Sequence, residues 1–540
     1  MRRFNVTGLC VPEEDYMVDI GGKIGQIKKL IDDGSYLTIN RARQYGKTTT
    51  LNELRKTLSD EYIVISLSFQ GIGDESFASS GSFCRTFIRQ IVRALRFTAA
   101  PKEYIEKWND GEITEFEELS YHITDMCEGK KIVLMIDEVD QAGNNRVFLQ
   151  FLGMLRDKFL SRKAGQDYTF HSVILAGVYD IKNIRVPNMN GASPVHMQAT
   201  PIDRSKMINE GLYAPAATEN KLYNSPWNIA INFTVDMSFN PIEIETMLSE
   251  YKTDHDIRMD IISISKEIHS YTNGYPFLVS RICQCIYEEL NQNWTNGGIR
   301  QAINILLTES NTLFDDMFKN IENNKELSDL IYALLILREI KPFVIDDPVV
   351  GVGVIYGFLK NVNQTIAIAN KIFELRMINY YISKDLRNKR QITGVLQSDV
   401  VRGVDFDMEL CLRKFADHYD EIYNETDREF LERHGRLLFL SYLKPLINGR
   451  GFYHIESQFV DLRRMDIVVD FGRQQFILEL KLWNGKSKHR EAYEQLCGYL
   501  ESKRVDAGYL LSFDFRRENN RDRKAEWVEV NGKRIFDVVV

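Results

Sequence analysis

Apolar periodicity predicts an α/β protein whose N-terminal half is built on a parallel sheet, and three stretches carry that expectation. In SYLTINRARQYGKTTTL, Ser35 to Leu51, Tyr36 to Ile39 read as a short buried strand and Arg41 to Tyr45 as a loop. Gly46-Lys47-Thr48 then open a helix continued by Leu51, Leu54 and Leu58. In KKIVLMIDEVD, the apolar run Ile132 to Ile136 ends in Asp137 and Glu138, as a buried strand with carboxylates at its C-terminal edge. RRMDIVVDFGRQQFILELKLW, Arg463 to Trp483, reads as a hairpin turning at Phe471-Gly472-Arg473.

The first stretch has the strand, loop and helix order that phosphate binding requires. N–H groups at a helix N-terminus attract anions, a Lys there reaches β/γ-phosphates, and the next hydroxyl can ligate Mg²⁺. Arg43, Gln44, Tyr45, Gly46, Lys47, Thr48 and Thr49 form this run, with Lys47 and Thr48 in the two named roles. GxxxxGK[ST] expects glycine at position 41, where this chain has Arg41. A Lys-containing helix start after a basic turn would look similar in isolation, as would an acidic helix start after a core strand. The two halves together point to ATP and Mg²⁺: Asp137 would bind the metal and Glu138 would act as general base on the attacking water.

At 540 residues the chain is too long for one ordinary core. Its 44% hydrophobic and 27% charged content is that of a globular protein, and a net charge of −8 gives no global basic field for nucleic acid. DNA contact would have to be local. The seven cysteines include no CxxC pair and the histidines no HExxH grouping, which suggests a reducing compartment and no zinc site. MRRFNVTGLC lacks an apolar signal core, and no apolar run approaches about 20 residues. The expectation is a cytoplasmic protein with no membrane partner.

In order, Gly22 to Asp32 read as a helix, Tyr62 to Phe69 as a strand, Ser82 to Leu95 as an amphipathic helix, and Arg146 to Phe159 as a helix. Ser172 to Val178 form a further strand before Tyr179 and Asp180, Pro187 to Ser225 a long polar insertion, and Trp227 to Phe239 a fifth strand-like run. A strand lies between the phosphate-loop strand and the Asp-Glu strand, which suits ATPases with a catalytic glutamate. Pro241 to Asn291 read as a helical lid. Helix Leu330 to Leu337, the turn Tyr356-Gly357-Phe358 and Ile368 to Ile382 read as helices ending in a strand pair, a winged helix.

After the basic linker Ser383 to Gly403 a different fold begins. Glu429 to Leu443 read as a helix stopped by Pro445, and His454 to Val460 as a strand. In the hairpin's second arm, Glu479 and Lys481 share a face, and Asp466 lies on the facing arm. Two carboxylates can hold a Mg²⁺ that polarises a phosphodiester, while a Lys orients the water. A charged cross-strand cluster on a solvated face is the bland alternative. Basic residues including Arg463, Arg464, Lys488, Arg490 and Lys503, interleaved with Trp483 and Tyr493, would supply phosphate contacts.

RARQYGKTTT, LMIDEVD, SVILAGVYD, SPWNIA and YTNGYPFLVSRIC together resemble the bacterial AAA-like ATPase domain family, related to AAA+ and STAND-type ATPases. The resemblance extends to about Ser383 and accommodates Arg41, because that family commonly has an Arg-rich loop without the first glycine. It implies that Tyr179 or Asp180 takes the sensor position after the fourth strand. It also places Arg281 where a lid arginine contacts phosphate, against the alternative of a solvated helix arginine. Arg185 and Arg204 are candidates for an arginine finger, and a homo-oligomer stays open.

Asp466…Glu479-Leu480-Lys481 resembles the PD-(D/E)XK nuclease superfamily. That resemblance implies an acidic residue upstream, for which Glu432 and Glu456 compete as metal ligands beside Asp466 and Glu479. It also implies a Gln or Tyr downstream, for which the helix Lys488 to Glu501 presents Tyr493, Gln495 and Tyr499. The expected fold class is therefore a P-loop ATPase with parallel sheet, helical lid and winged helix, plus a C-terminal α/β restriction-endonuclease-like domain. The expected bounds are 1–240 for the ATPase core, 241–320 for the lid, 321–383 for the winged helix, 384–405 for the linker and 406–540 for the nuclease-like domain. The expected function is an ATPase whose nucleotide state gates a metal-dependent nuclease, an architecture that suggests defence or mobile-DNA handling. The alternative is an ATP-dependent scaffold whose nuclease fold only binds nucleic acid or protein.

Overall fold

The computed structural model describes residues 2–111, 113–142, 145–178, 226–231, 233–337, 339–388, 400–403, 405–422, 438–440, 442–447, 451–456, 465–483, 485–514 and 524–540. Strands β1 (Leu37–Asn40), β2 (Ile63–Ser68), β3 (Ile132–Asp137) and β4 (Ser172–Gly177) form an all-parallel sheet in the order β1-β4-β3-β2. β4 thus separates the phosphate-loop strand from the strand bearing Asp137. Every residue of β3 and β4 is buried, because helices cover both faces. The period of two splits β3: Val133 and Met135 pack with Ile24, Ile27, Leu51 and Leu54, whereas Ile132, Leu134 and Ile136 pack with Phe87, Ile91, Phe148 and Phe151.

Trp227 to Phe239 do not form a strand among the described residues. Residues 226–230 turn, and Ile231 makes one isolated parallel bridge to Leu37. The apolar character of this run comes from packing instead. Trp227 is fully buried, its ring lies 5.7 Å from that of Tyr36, and its indole N–H donates to Thr38 Oγ1 at 3.0 Å.

Helices Pro241–His255, Ile261–Thr272, Pro276–Glu288, Asn296–Thr308 and Thr312–Asn323 follow. Beyond helices Lys325–Leu335 and Pro348–Ile355, the hairpin β5 (Leu359–Val362) and β6 (Thr365–Ile368) comes before helix Lys371–Asn388, not after it. That helix also runs past Ser383, where a linker was expected. Its apolar face, Ile372, Phe373, Ile378 and Ile382, is buried to the last of these.

A minimal pair, β7 (Val401–Arg402) and β8 (Asp405–Phe406), precedes helix Met408–Ile422. The second large sheet comprises β9 (Gly451–Glu456), β10 (Met465–Phe471), β11 (Gln474–Leu482), β12 (Ala507–Phe513), β13 (Lys524–Val530) and β14 (Lys533–Val539), in the order β13-β14-β12-β11-β10-β9. β10 pairs antiparallel with β9 and β11, while β11, β12 and β14 are parallel. Helix Lys486–Lys503 covers one face through Ala492, Leu496 and Leu500, against Ile477 and Leu510. The other face, with Leu478 and Leu480, joins a core shared with the preceding helices. Most of the expected helix Glu429–Leu443 lies outside the described residues. Residues 442–447 are helical through Pro445, with Leu446 and Ile447 buried, so core packing carries the helix past the residue expected to stop it.

No helix among the described residues is long and apolar enough to cross a membrane.

Candidate functional site

The loop after β1 closes through a left-handed Gln44 (φ 55°) and Gly46 (φ 76°), which turns the N–H groups of helix Lys47–Leu58 towards the loop interior. Arg41, standing where a glycine was expected, extends away. Its guanidinium donates to the Val235 carbonyl at 2.9 Å and lies 5.3 Å from the Phe233 ring centroid. The Lys47 ammonium is buried and donates to the carbonyls of Arg41 (2.9 Å) and Ala42 (3.0 Å). Burial pulls its pKa down, against the opposing pull of Glu138, Asp140 and Asp137.

Parallel pairing of β1, β4 and β3 brings the two halves of the site together. Thr48 Oγ1 donates to Asp137 Oδ2 at 2.8 Å, and the other Asp137 oxygen accepts the Glu138 N–H at 2.9 Å. Glu138 holds a left-handed backbone (φ 54°), a strained conformation of the kind that clusters at functional sites. Burial, reinforced by the neighbouring Asp137 charge, raises its pKa above the ordinary carboxylate value.

Asp140 went unassigned in the sequence. Its Oδ2 accepts the Val178 N–H at 2.5 Å, and a Cβ on Gly177 would come within 2.8 Å of its Oδ1. The strand-end glycine that left no polar side chain for a sensor role is therefore the room that Asp140 occupies. Tyr179, Asp180, Arg185 and Arg204 lie outside the described residues.

The expected phosphate-loop residues divide. Arg43 forms an ion pair with Asp316 at 2.9 Å, Gln44 donates to Thr312 at 3.0 Å, and the Tyr45 and Ser238 hydroxyls lie 2.8 Å apart. Thr49 Oγ1 accepts the Cys10 N–H at 3.4 Å. The guanidinium of Arg281 binds Glu309 (2.7 Å), Glu289 (2.9 Å) and Gln284 (3.0 Å), so these contacts stay among neighbouring helices and their flanking turns rather than at the loop. Besides Thr312 and Asp316, Tyr275 reaches the loop, its hydroxyl donating to the Arg43 carbonyl. Tyr275 and Arg281 stood in the same sequence run, and only the fold distinguishes them.

A cleft of about 140 Å³ opens beside the loop, walled by Val6, Tyr16, Val18, Met237, Phe239 and Phe277 with Tyr45, Gly46 and Thr50. Its N-terminal wall is held by Asp15, which accepts from Asn5 (3.0 Å) and the Val11 N–H (2.9 Å). Sequence reading missed this wall because residues 3–16 show neither helical nor strand period.

Gly357 (φ +72°) sits on the loop: a Cβ there would lie 2.8 Å from Ala42 Cβ. Gly357→Ala is expected to cost about 1–3 kcal/mol through the left-handed backbone and this approach. Thermal unfolding should show the loss in the nucleotide-free protein; an unchanged Tm would refute the contact.

In the second sheet, β10 places Asp466 opposite Glu479 on β11 and Glu456 on β9. Glu479 is 1% exposed and pairs with Lys481 at 3.0 Å, and Lys481 donates to Gln495 Oε1 at 2.6 Å. Tyr493 and Tyr499 do not join them. Tyr493 bonds Asp537, which also takes His489 at 2.7 Å and Lys524, while Tyr499 packs in the core. The hydrogen bonds from His489, Lys524 and Tyr493 hold the Asp537 carboxyl below its usual range, outweighing the upward push of burial. Glu432 lies outside the described residues. Among the described residues no cluster of three or more His, Cys, Asp or Glu forms a metal site.

The parallel sheet with a phosphate-type loop at the end of β1 and carboxylates at the end of β3 defines an AAA-like P-loop arrangement. Residues 22–190 match the AAA-like domain family. No curated protein sequence matched the chain. Among solved structures, the chain is similar to a Walker-type ATPase of Pyrococcus abyssi, with 10% identity, 69% of this chain and 99% of that one covered, and a TM-score of 0.45. It is also similar to Cdc6p of Pyrobaculum aerophilum, with 13% identity, 71% and 98% covered, and a TM-score of 0.28. A third similarity is to the ORC2 protein of Aeropyrum pernix, with 12% identity, 71% and 98% covered, and a TM-score of 0.34.

Proposed function

We propose that the chain binds and hydrolyses ATP with Mg²⁺, and that its nucleotide state gates a metal-dependent, PD-(D/E)XK-type nuclease in the C-terminal sheet acting on nucleic acid, with DNA as the first candidate. The observation that carries the ATP reading is the 2.8 Å bond between Thr48 and Asp137, residues 89 apart in sequence. A hydroxyl and a carboxylate make an oxygen-only donor set, which suits Mg²⁺. Mg²⁺ there would neutralise charge on the β- and γ-phosphates. Lys47 would exchange its two loop carbonyls for phosphate oxygens, Glu138 would take the proton of the attacking water, and the apolar cleft would receive the base.

Gating is supported by contacts at both ends of the lid. Tyr275, Thr312 and Asp316 touch the phosphate loop. Arg300, on the lid helix Asn296–Thr308, pairs with Asp470 of β10 at 3.3 Å, four residues from Asp466. The hairpin and flanking helices of 321–383 would act as a winged helix relaying between them. The scaffold reading has its own support, since the Lys481 ammonium lies 3.0 Å from the buried Glu479 carboxylate and also donates to Gln495, a structural engagement of the cation.

Titration with a fluorescent ATP analogue tests the first step. Lys47→Ala is expected to weaken binding by at least about tenfold through loss of a charge-assisted phosphate contact, and equal affinity in the variant would sink the reading. Incubation with linear, circular and single-stranded DNA and with RNA, in Mg²⁺ or Mn²⁺ and with or without ATP, tests the second. Cleavage lost in Asp466→Ala and altered by ATP supports gating, whereas no cleavage of any substrate favours the scaffold.

A further inference from the structure

The helix Ser80–Leu95 follows β2 and contains no acidic residue. It carries Arg85, Arg89 and Arg93, and Arg96 caps its end. At about 100° per residue the four fall within an arc of roughly 80°, with a rise of about 6 Å between successive arginines of the first three. All four are exposed, and among the described residues no salt bridge engages any of them. Among the described residues, the side-chain hydrogen bonds of Arg89 are local, to the Arg85 carbonyl and Thr86. Immediately after the last arginine, Phe97 is 78% exposed.

The opposite face of this helix is fully used. Phe83, Phe87, Ile91 and Leu95 are buried in the core against the sheet. Folding therefore fixes the arginine row rigidly outward. Favourable interaction with the helix dipole accounts for Arg93 and Arg96 near the C-terminus but not for Arg85 and Arg89 further back. Four like charges on one face, with no ion pair among the described residues, repel each other and call for an anionic partner on a chain whose net charge is −8.

We propose that this face binds the phosphate backbone of a single-stranded nucleic acid, with Phe97 as a stacking platform for one base. Guanidinium forks bind phosphate oxygens bidentately, and their regular step is comparable with that between neighbouring phosphates of an extended strand. An aromatic ring at the end of a cationic row is the combination by which single strands are held without sequence readout. An anionic membrane is the less fitting partner, because the helix's apolar face is already spent on the core and only one ring is left to enter lipid. This surface lies outside both the phosphate-loop site and the C-terminal cluster, and the inference stands whether or not the latter cleaves.

Fluorescence anisotropy of a labelled oligothymidylate and an oligouridylate against the full chain, at rising salt, tests it. Arg89→Gln/Arg93→Gln should weaken binding roughly tenfold and reduce the slope of log affinity against log salt by about 0.7 per arginine removed. Arg89→Lys/Arg93→Lys should retain the slope, and Phe97→Ala should weaken binding with the slope unchanged. Unchanged circular dichroism and Tm would show that these exposed changes leave the fold intact. Three results would overturn the proposal: no binding of the wild-type chain to either oligonucleotide, affinity and slope unaltered in the glutamine variant, or retention by phosphatidylserine vesicles in place of oligonucleotides.

Discussion

Glu138→Gln should lower ATP turnover by about 10²–10⁴-fold, the range for loss of a general base, while nucleotide affinity stays near that of the unaltered protein. Glutamine keeps the side chain's shape and its reach beside Asp137 but cannot accept the proton of water. The raised pKa gives this prediction a second axis. Because the base must be ionised, turnover should be present above the raised Glu138 pKa and fall as pH drops through it, giving an acid limb above the ordinary carboxylate range. The stability sign is opposite to that of a paired carboxylate. The unfolded chain releases this proton at lower pH than the folded one, so above both pKa values the folded state bears a penalty. Glu138→Gln removes that penalty, and its Tm at neutral pH should equal or exceed that of the unaltered protein. Steady-state ATPase assays from acid to neutral pH, with thermal unfolding of both proteins, check both axes. Turnover retained in Glu138→Gln would transfer the base role elsewhere.

What was legible in the sequence depended on how far apart the interacting residues lie. β3 could be read directly, since an unbroken apolar run ending in carboxylates fits a strand buried on both faces. The loop before Lys47 was equally readable, because strand, turn and helix are local. The residues that hold that loop were not. Tyr275 reaches the Arg43 carbonyl across 232 positions, and Thr312 and Asp316 meet Gln44 and Arg43 across more. Arg281 was the more conspicuous lid residue by charge, yet its chemistry is absorbed by Glu309, a residue whose proximity only the packing of helices decides. Trp227 to Phe239 misled for a related reason: a short apolar run reports burial and does not specify strand pairing. Pro445 misled because tertiary packing of Leu446 and Ile447 overrode a local stop signal.

Removing the Glu479–Lys481 pair should separate a catalytic role from a structural one in a way that neither single change can. Lys481→Met leaves the almost fully buried Glu479 carboxylate without the ammonium 3.0 Å away, and breaking a buried pair from one side costs about 3–5 kcal/mol. Lys481 is partly exposed, so the cost should fall towards the lower end of that range. Loss of cleavage in that variant could therefore reflect a weakened sheet. Glu479→Gln/Lys481→Met removes both charges and keeps both volumes, so it should recover most of the lost Tm, as buried pairs often yield to neutral replacements. In the nuclease reading this double variant should still lose at least about 10²-fold in cleavage, because neither metal ligation by Glu479 nor the charge on Lys481 is restored. Thermal unfolding of the single and double variants, beside cleavage of the substrate identified with the unaltered chain, makes the comparison. A double variant that regains stability and cuts as fast as the unaltered protein would reduce Glu479, Lys481 and Gln495 to a buried polar brace between β11 and helix Lys486–Lys503.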